Sequence, residues 1–531
     1  MKTINKFLSI LLITASAGCV SCSDFLSEYS QDLAKVESWN DLDELLLGDG
    51  YLPPAMRSDN TGNLDILHFM TDEIEPNATK QGKRGVGYAM YTLDMFPFYT
   101  WMADTGIDEK HKYTGKDDVY WNYLYKRINI CNIVIELIDE QPEKNFGDDI
   151  EKERVKGEAY FLRGAYYYLL SNLYGKPYNP QTADTDLGVP LKVSGTIEDI
   201  EYSRTPLSSC YKQIVSDLEN AETYLEGKTR KSIYRANQTA ASLLLSRVYL
   251  YMQNWEKAAE YAEKVLSVQS SLLDLRQIAV GQDCLSKSSP ETIFSMGGYT
   301  IAAAFADAED SWFGDPIEAS YYVSKEMKNL YGQDDLRASR YIGETEIWNY
   351  PDAFRKVSGQ RSKYGSYCEV SSSFLMRTPE AYLNYAEAMA YAGNESAARQ
   401  KLVTFLHTRM TADVNLDALS GNDLIDFIRD ERAREFLLEG HRWFDLRRYT
   451  VCQPYPWSKT ISHDYAFYGD YDLAYIERYV LEKFDAAYTL PIPRSVRNFQ
   501  ASIGNNPRPE RTPNRVEPET DDDDDYDDWD W

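Results

Sequence analysis

The chain has 531 residues, more than the roughly 250–300 at which a single hydrophobic core stops growing, so one large composite unit or two intimately packed halves are expected. A formal charge of −28 argues against nucleic acid and anionic lipid as partners and leaves a cationic partner open. Hydrophobic residues make up 43%, enough for a sizeable core, and 42 tyrosines with 10 tryptophans join apolar faces to polar handles, the material of a wet, adaptable binding surface.

The first segment is an export signal. Lys2 and Lys6 precede a short apolar run, Phe7 to Ile13, and small residues follow from Thr14 to Gly18. The run is too short to span a bilayer. Cys19 and Cys22 come next, each after a small residue, Gly18 and Ser21. That is the setting in which a bacterial lipoprotein signal is cut before a cysteine that then carries lipid, and more than one acyl chain makes such an anchor stable. The alternative is an ordinary signal peptide and a soluble mature protein. Cys131, Cys210, Cys284, Cys368 and Cys452 lie singly along the chain, so neither a disulfide framework nor a zinc site follows from their spacing. His68, His111, His407, His441 and His463 are equally scattered. No metal site and no cofactor is expected.

Helical periodicity dominates the remainder. Stretches at Tyr120 to Ile138 and Gly157 to Leu173 alternate as amphipathic helices. From Ala240, Leu243, Leu244, Arg247, Val248 and Tyr251 recur at three and four. After Gln253-Asn254 the period resumes at Trp255, Ala258, Ala259, Ala262 and Leu266. Small residues at Ser246, Ala258 and Ala262 let two helices approach closely, and the unit resembles a tetratricopeptide hairpin. A second copy runs from Glu380 through Tyr385, Ala386 and Ala388, turns at Gly393-Asn394, and resumes at Ala397, Ala398 and Leu402. The fold class is therefore mainly α: a tetratricopeptide-like helical-hairpin scaffold with long irregular loop insertions forming a ligand-binding face. The insertions are Gly50 to Gly115, Ser267 to Tyr322 and Tyr341 to Phe374, rich in Gly, Ser, Asp and aromatics. From Asn505 the chain carries four prolines and then an aspartate run beginning at Asp521, and reads as a disordered acidic tail.

Glu439, His441 and Asp445 invite a catalytic reading. However, Glu431, Arg434, Glu435 and Leu438 repeat at helical spacing, Gly440 offers a stop, and Arg442, Trp443 and Phe444 can fold back on that helix, so a structural lock is the stronger expectation. With 84 acidic residues, carboxylate pairs carry no glycosidase signal. There is no GxSxG, and Gly227-Lys228-Thr229 lacks the upstream glycine of a phosphate loop. No catalytic residue is assigned.

Several of these segments together resemble one family. They are CSDFLSE from Cys22, GEAYFLRGAYYYLLSNLYG from Gly157, GVPL from Gly188, PETIFS from Pro290 and YGQDDLR from Tyr331, joined by RTPEAYLNYAEAMA from Arg377, ERAREFLLEGHRWFDLRRY from Glu431 and YTLPIPRSVRNFQASIGNNP from Tyr488. The chain resembles the SusD/RagB-like outer-membrane nutrient-binding lipoproteins over nearly its whole length. The resemblance implies residues 1–21 as signal peptide, lipidation at Cys22, and a binding domain over 22–515 followed by the acidic tail, 516–531. Cys19 stands where such signals usually have an aliphatic residue, which keeps it open as the lipidated position. The resemblance further implies a non-catalytic cell-surface protein that captures an oligosaccharide, or less often a peptide, for a SusC-like TonB-dependent outer-membrane transporter.

A saccharide needs flat apolar surfaces for its C–H faces and a few polar groups for its hydroxyls. Three aromatic groups in the insertions qualify: Phe98, Tyr99 and Trp101 near Asp104; Trp312 and Phe313 between Asp310 and Asp315; and Trp348 and Tyr350 beside Asn349. Tyr99, Trp101, Trp312 and Trp348 are the expected ligand platforms, set against the plainer expectation that large rings are buried for their area. A secreted glycan-degrading hydrolase would need a convergent acid and nucleophile. A pure repeat scaffold would not need so many aromatic loops.

Overall fold

The computed structural model describes residues 36–53, 64–76, 95–115, 118–196, 200–282, 284–298, 321–342, 369–468 and 473–516. For 308–309, 316–317, 343–346 and 356–359 it describes the backbone alone. Cys22, Trp312 and Trp348 lie outside the described residues, as do the signal segment and residues 517–531.

The chain enters at helix α1 (Trp39–Leu45), capped reciprocally: Ser38 Oγ accepts the Asp41 N–H, and the Asp41 carboxylate accepts the Ser38 N–H. The scaffold follows as α2 (Tyr120–Leu137), α3 (Asp148–Tyr174), α4 (Leu207–Tyr224), α5 (Gln238–Tyr251) and α6 (Trp255–Val268), each packed on the next. The array is then interrupted by the long insertion. It resumes at α7 (Thr378–Tyr391), which lies directly on α6, and continues to α8 (Glu395–Leu406).

Local chemistry sets these turns. Gln253 and Gly393 adopt left-handed backbone (φ +60° and +81°), and the following asparagines cap the next helices, Asn254 Oδ1 accepting the Lys257 N–H and Asn394 Oδ1 the Ala397 N–H. The two hairpins expected at 240–266 and 380–402 are thus built with the same turn. Small residues sit where helices meet: Ser246 Oγ donates to the Ala258 carbonyl at 2.8 Å, and Ala258 and Ala262 are fully buried. Gly157 of α3 rests on Leu225 so closely that a Cβ there would fall 2.8 Å from its Cγ.

Helix α9 (Gly421–Glu435) packs on α7, and α10 (Arg442–Tyr449) follows it. The helical repeat through Leu438 expected from sequence is not what forms. The helix stops at Glu435, Leu438 is left-handed at φ +53°, and Gly440, at φ +78°, passes so close to the Ser373 carbonyl that a Cβ would sit 2.8 Å from it. The fold-back of Arg442, Trp443 and Phe444 is itself a helix. Short helix α11 (Arg494–Phe499) lies near the end of the chain.

Sheet structure is slight and antiparallel. Strand β1 (Ile74–Pro76) pairs with β3 (Tyr321–Val323), and β2 (Thr292–Ser295) with β4 (Leu375–Arg377). The strand 356–359 lies against β3. A long hairpin, β5 (Ile461–Tyr468) and β6 (Leu473–Leu481), takes β7 (Asn514–Val516) on its outer edge, and β5 lies next to β1. Residues 505–516 therefore form an ordered strap, which corrects the expectation of disorder from Asn505. Arg508 donates to the Met102 and Ala487 carbonyls and Arg511 to the Val480 carbonyl, pinning the strap across three parts of the fold.

Candidate functional site

Beneath the site lies an ionic core that accounts for the segment densest in charge. Glu435, at the end of α9, receives Arg377 (2.5 Å), Arg409 (3.0 Å) and Arg337 (3.1 Å). Arg377 also holds Glu439 and reaches Glu291, and Arg409 holds Glu291 at 2.6 Å. Burial alone would raise the Glu435 carboxyl, but Arg409, Arg377 and Arg337 hold it well below the usual carboxylate range. A second cluster joins Asp445 to Arg432 (2.9 Å) and Arg448 (2.7 Å), with Arg448 on Glu387 at 2.6 Å. His441 is buried and stacks on Phe436 at 4.3 Å. Glu439 and Asp445 are therefore engaged by guanidinium groups.

The segment 71–73 ties this core to the insertions. Asp72 binds Arg442 through two hydrogen bonds of 2.8 and 2.7 Å and takes Lys459 at 2.7 Å; against burial, these cations hold it far below the usual range. Its neighbour Glu73 has no cation among its hydrogen-bond partners in the described residues. One oxygen accepts the Leu438 N–H at 2.7 Å and the other accepts Thr71 Oγ at 3.1 Å. Burial pushes its carboxyl up to about 8, despite the Leu438 hydrogen bond.

Above this base a run of rings climbs to the surface. Trp101 and Tyr99 stack on His463 at 4.3 and 4.2 Å, Phe96 meets Tyr465 at 4.9 Å, Tyr465 meets Phe467 at 5.2 Å, and Phe467 stacks on Tyr475 at 4.8 Å. Alternation along β5 and β6 puts these rings on one sheet face. At the outer end Phe467 and Tyr475 are half-buried, and the Arg515 guanidinium lies 4.2 Å above Tyr475. A tight loop stands nearby. The Asp108 carboxylate accepts the N–H groups of Lys110 and Lys112, and Ile107 bridges to Tyr113. Tyr113 is 46% exposed, with the Arg494 guanidinium 4.1 Å over its ring and Asp104 ion-paired to that arginine.

Two expected platforms are corrected here. Tyr99 and Trp101 are fully buried, Trp101 Nε1 donates to the Met70 carbonyl at 3.0 Å, and Tyr99 Oη donates to the Asp464 carbonyl at 3.1 Å. A ring enclosed on both faces offers nothing to a ligand, and Phe98 is buried with them. They are the foot of the aromatic run whose outer rings, Phe467 and Tyr475, the sequence reading missed, as it did Tyr113 on the neighbouring loop. The signal for Phe467 and Tyr475 was present as two-residue alternation in the segments 461–468 and 473–481. Trp312 and Trp348 lie outside the described residues. Cys131, Cys210, Cys284 and Cys452 are all buried. Among the described residues no three His, Cys, Asp or Glu side chains gather as a metal site, and no helix is long and apolar enough to cross a membrane.

A mainly helical, tetratricopeptide-like array with an aromatic face at its closing hairpin defines a class of helical-repeat proteins. Family comparison is more specific. Residues 63–250 match a model described as "Starch-binding associating with outer membrane", and residues 291–508 match that of the SusD family. The chain belongs to the SusD/RagB-like family. It is 25% identical over 392 residues to SusD-like protein P2 of Formosa agariphila, covering 64% of this chain and 74% of that one. It is 23% identical over 381 residues to the starch-binding protein SusD of Bacteroides thetaiotaomicron, covering 57% and 65%. Among solved structures, a SusD superfamily protein of Bacteroides thetaiotaomicron superposes with a TM-score of 0.65 at 24% identity, over 89% of this chain and all of that one. A SusD-like carbohydrate binding protein of Bacteroides vulgatus gives 0.64 at 19% identity, over 88% and 98%.

Proposed function

We propose that this chain is a cell-surface lipoprotein of the outer membrane that captures an oligosaccharide and passes it to a SusC-like TonB-dependent transporter, without cleaving it. The observation that carries the reading is the match of residues 63–250 to a family described as starch-binding and associating with the outer membrane, together with that of residues 291–508 to the SusD family. Two further features support it. Carboxylates in the most charged segment, Glu435, Glu439 and Asp445, are engaged by buried arginines, which leaves them poorly placed as an acid and nucleophile pair. Exposed and half-buried rings at Tyr113, Phe467 and Tyr475, set among Asp104, Arg494 and Arg515, supply the mixed lining that sugars need.

Trp312 and Trp348 are further proposed ligand contacts, and lipid on Cys22 is the proposed anchor. The strand 356–359, which follows Trp348, lies against β3, and β3 is joined through β1 to the terminal hairpin. Deleting the gene in its host and measuring uptake of labelled oligosaccharides tests the delivery step. Slower uptake, restored by the wild-type gene and accompanied by co-purification of a TonB-dependent channel, is expected. Unchanged uptake of every saccharide, with peptide uptake lost instead, would make the ligand a peptide.

A further inference from the structure

A cleft of about 360 Å³ opens at the opposite end of α3 from its acidic N-terminus, where α10 ends and the chain's closing strap crosses. Lys176, Asn179, Asp186, Phe484, Tyr488 and Asn506 are among its lining residues. None belongs to the aromatic face described above.

Phe484 is the first unusual element. It is 58% exposed at the cleft and its backbone is left-handed, φ +57°. A bulky side chain is a poor choice for that conformation, which glycine or asparagine adopts more cheaply. The turn itself does not need the ring. Its bonds are Phe484 N–H to Ser458 Oγ (2.9 Å), Glu482 N–H to the Asp485 carboxylate (3.2 Å), and Ala487 N–H to the same carboxylate (2.8 Å). Backbone strain that holds an apolar ring in solvent at the mouth of a cleft is the kind that function retains.

Charge is the second. In the ionic core every guanidinium has a carboxylate, but three beside this cleft are held by neutral oxygen atoms only, among the described residues. Arg447, fully buried, donates to the carbonyls of Tyr488, Asn172 and Gly175 and to the Asn172 side chain. Arg204 donates to the Asn506 side-chain oxygen at 2.9 Å and to the carbonyls of Gly188, Leu187 and Tyr174. Arg508 donates to the carbonyls of Met102 and Ala487. Burial without an anion draws the Arg447 guanidinium down to about 10 and, with Arg511 adding repulsion, that of Arg508 to about 9. The lining carboxylates do not offset them. Asp186 is matched by Lys176 at 2.8 Å and Asp485 by Arg511 at 2.7 Å, while Asp184 is exposed on the same loop and screened by water. On a chain of charge −28 this is a cationic spot.

We propose that this cleft is a second binding subsite, for a carboxylate-bearing sugar residue whose ring lies on Phe484 and whose carboxylate is drawn to Lys176 and the cationic ground beneath. The subsite rests on the carbohydrate-binding reading and narrows it to acidic glycans at this position. Lys176 keeps Asp186 at 2.8 Å and, with its side chain 64% exposed, has ammonium hydrogens left to offer such a ligand.

The test is calorimetric titration of the full chain in detergent with oligomers of galacturonate, glucuronate and mannuronate, each also as its methyl ester, beside neutral glucan oligomers. At least one acid oligomer is expected to bind about tenfold more tightly than its ester, with added salt weakening it, as one charge-assisted contact implies. Lys176→Gln is expected to remove most of that preference. Phe484→Gly suits the left-handed backbone, so it is expected to raise Tm while weakening acid-oligomer binding about tenfold, the worth of one ring contact. Esters binding as well as acids, or acid binding untouched by both variants, would overturn the subsite. So would neutral oligomers binding while no acid oligomer does, which would leave the wider reading standing. Binding of no saccharide of either kind would overturn that reading itself.

Discussion

The guanidinium of Arg377 grips the carboxylate of Glu439 through two hydrogen bonds of 2.8 Å, joining the last residue of β4 to the turn between α9 and α10 with both side chains sealed from solvent. Removing Glu439 leaves Arg377 with Glu435 and Glu291, whereas removing Arg377 takes a cation from all three carboxylates at once. Glu439→Ala, which leaves Arg377 paired with Glu435, is expected to destabilise the fold by about 1.5–3 kcal/mol, and Arg377→Met, which deprives Glu435, Glu439 and Glu291 together, by about 3–5 kcal/mol. Urea unfolding of the three proteins measures the difference.

Glu73 sets an alkaline limit to stability. Its folded-state pKa is raised to about 8 from an ordinary 4.5, so its contribution is fully present below 4.5 and is lost as pH rises through 8. Within that window each pH unit costs up to about 1.4 kcal/mol. Glu73→Gln imitates the protonated form and keeps an acceptor for the Leu438 N–H. Thermal melts from pH 5 to 9 are expected to fall less steeply for the variant than for the wild type.

Trp101, at the buried foot of the aromatic run, and Tyr113, exposed on the loop 106–114, are expected to behave oppositely. Trp101→Ala empties a fully enclosed site and is expected to cost about 3–5 kcal/mol of stability. Tyr113→Ala removes a ring that is 46% exposed and is expected to change stability by less than about 0.5 kcal/mol while weakening saccharide binding. Paired unfolding and binding titrations separate the two. Equal destabilisation by both would place Tyr113 in the packing.

Cys22→Ala is expected to release the protein from the membrane fraction without loss of fold. Metabolic labelling with a fatty acid analogue checks it, since label retained in that variant and lost on Cys19→Ala would make Cys19 the anchor.

The helical scaffold was legible because burial imposes a period of three and four, and both hairpins closed at the turn residues that the sequence marked, Gln253-Asn254 and Gly393-Asn394. Helix α4 carries a clear apolar stripe at Leu207, Ile214, Leu218 and Ala221 but was passed over, as was the acidic first turn of α3 at Asp148, Asp149 and Glu151. The ring assignments were harder. Tyr99 and Trp101 look like a loop platform in sequence, and only the partners supplied by His463, some 360 residues later, show them as core. Long-range pairing also hid the roles of Arg508 and Arg511, whose partners lie on segments that periodicity does not connect.

The account turns on capture without cleavage, and calorimetric titration of the full chain with neutral and acidic oligosaccharides, followed by reducing-end analysis of every sample that binds, tests it most directly. The account predicts saturable binding with the added oligosaccharide recovered intact. New reducing ends appearing in proportion to protein and time, and lost with substitution of one carboxylate, would contradict it.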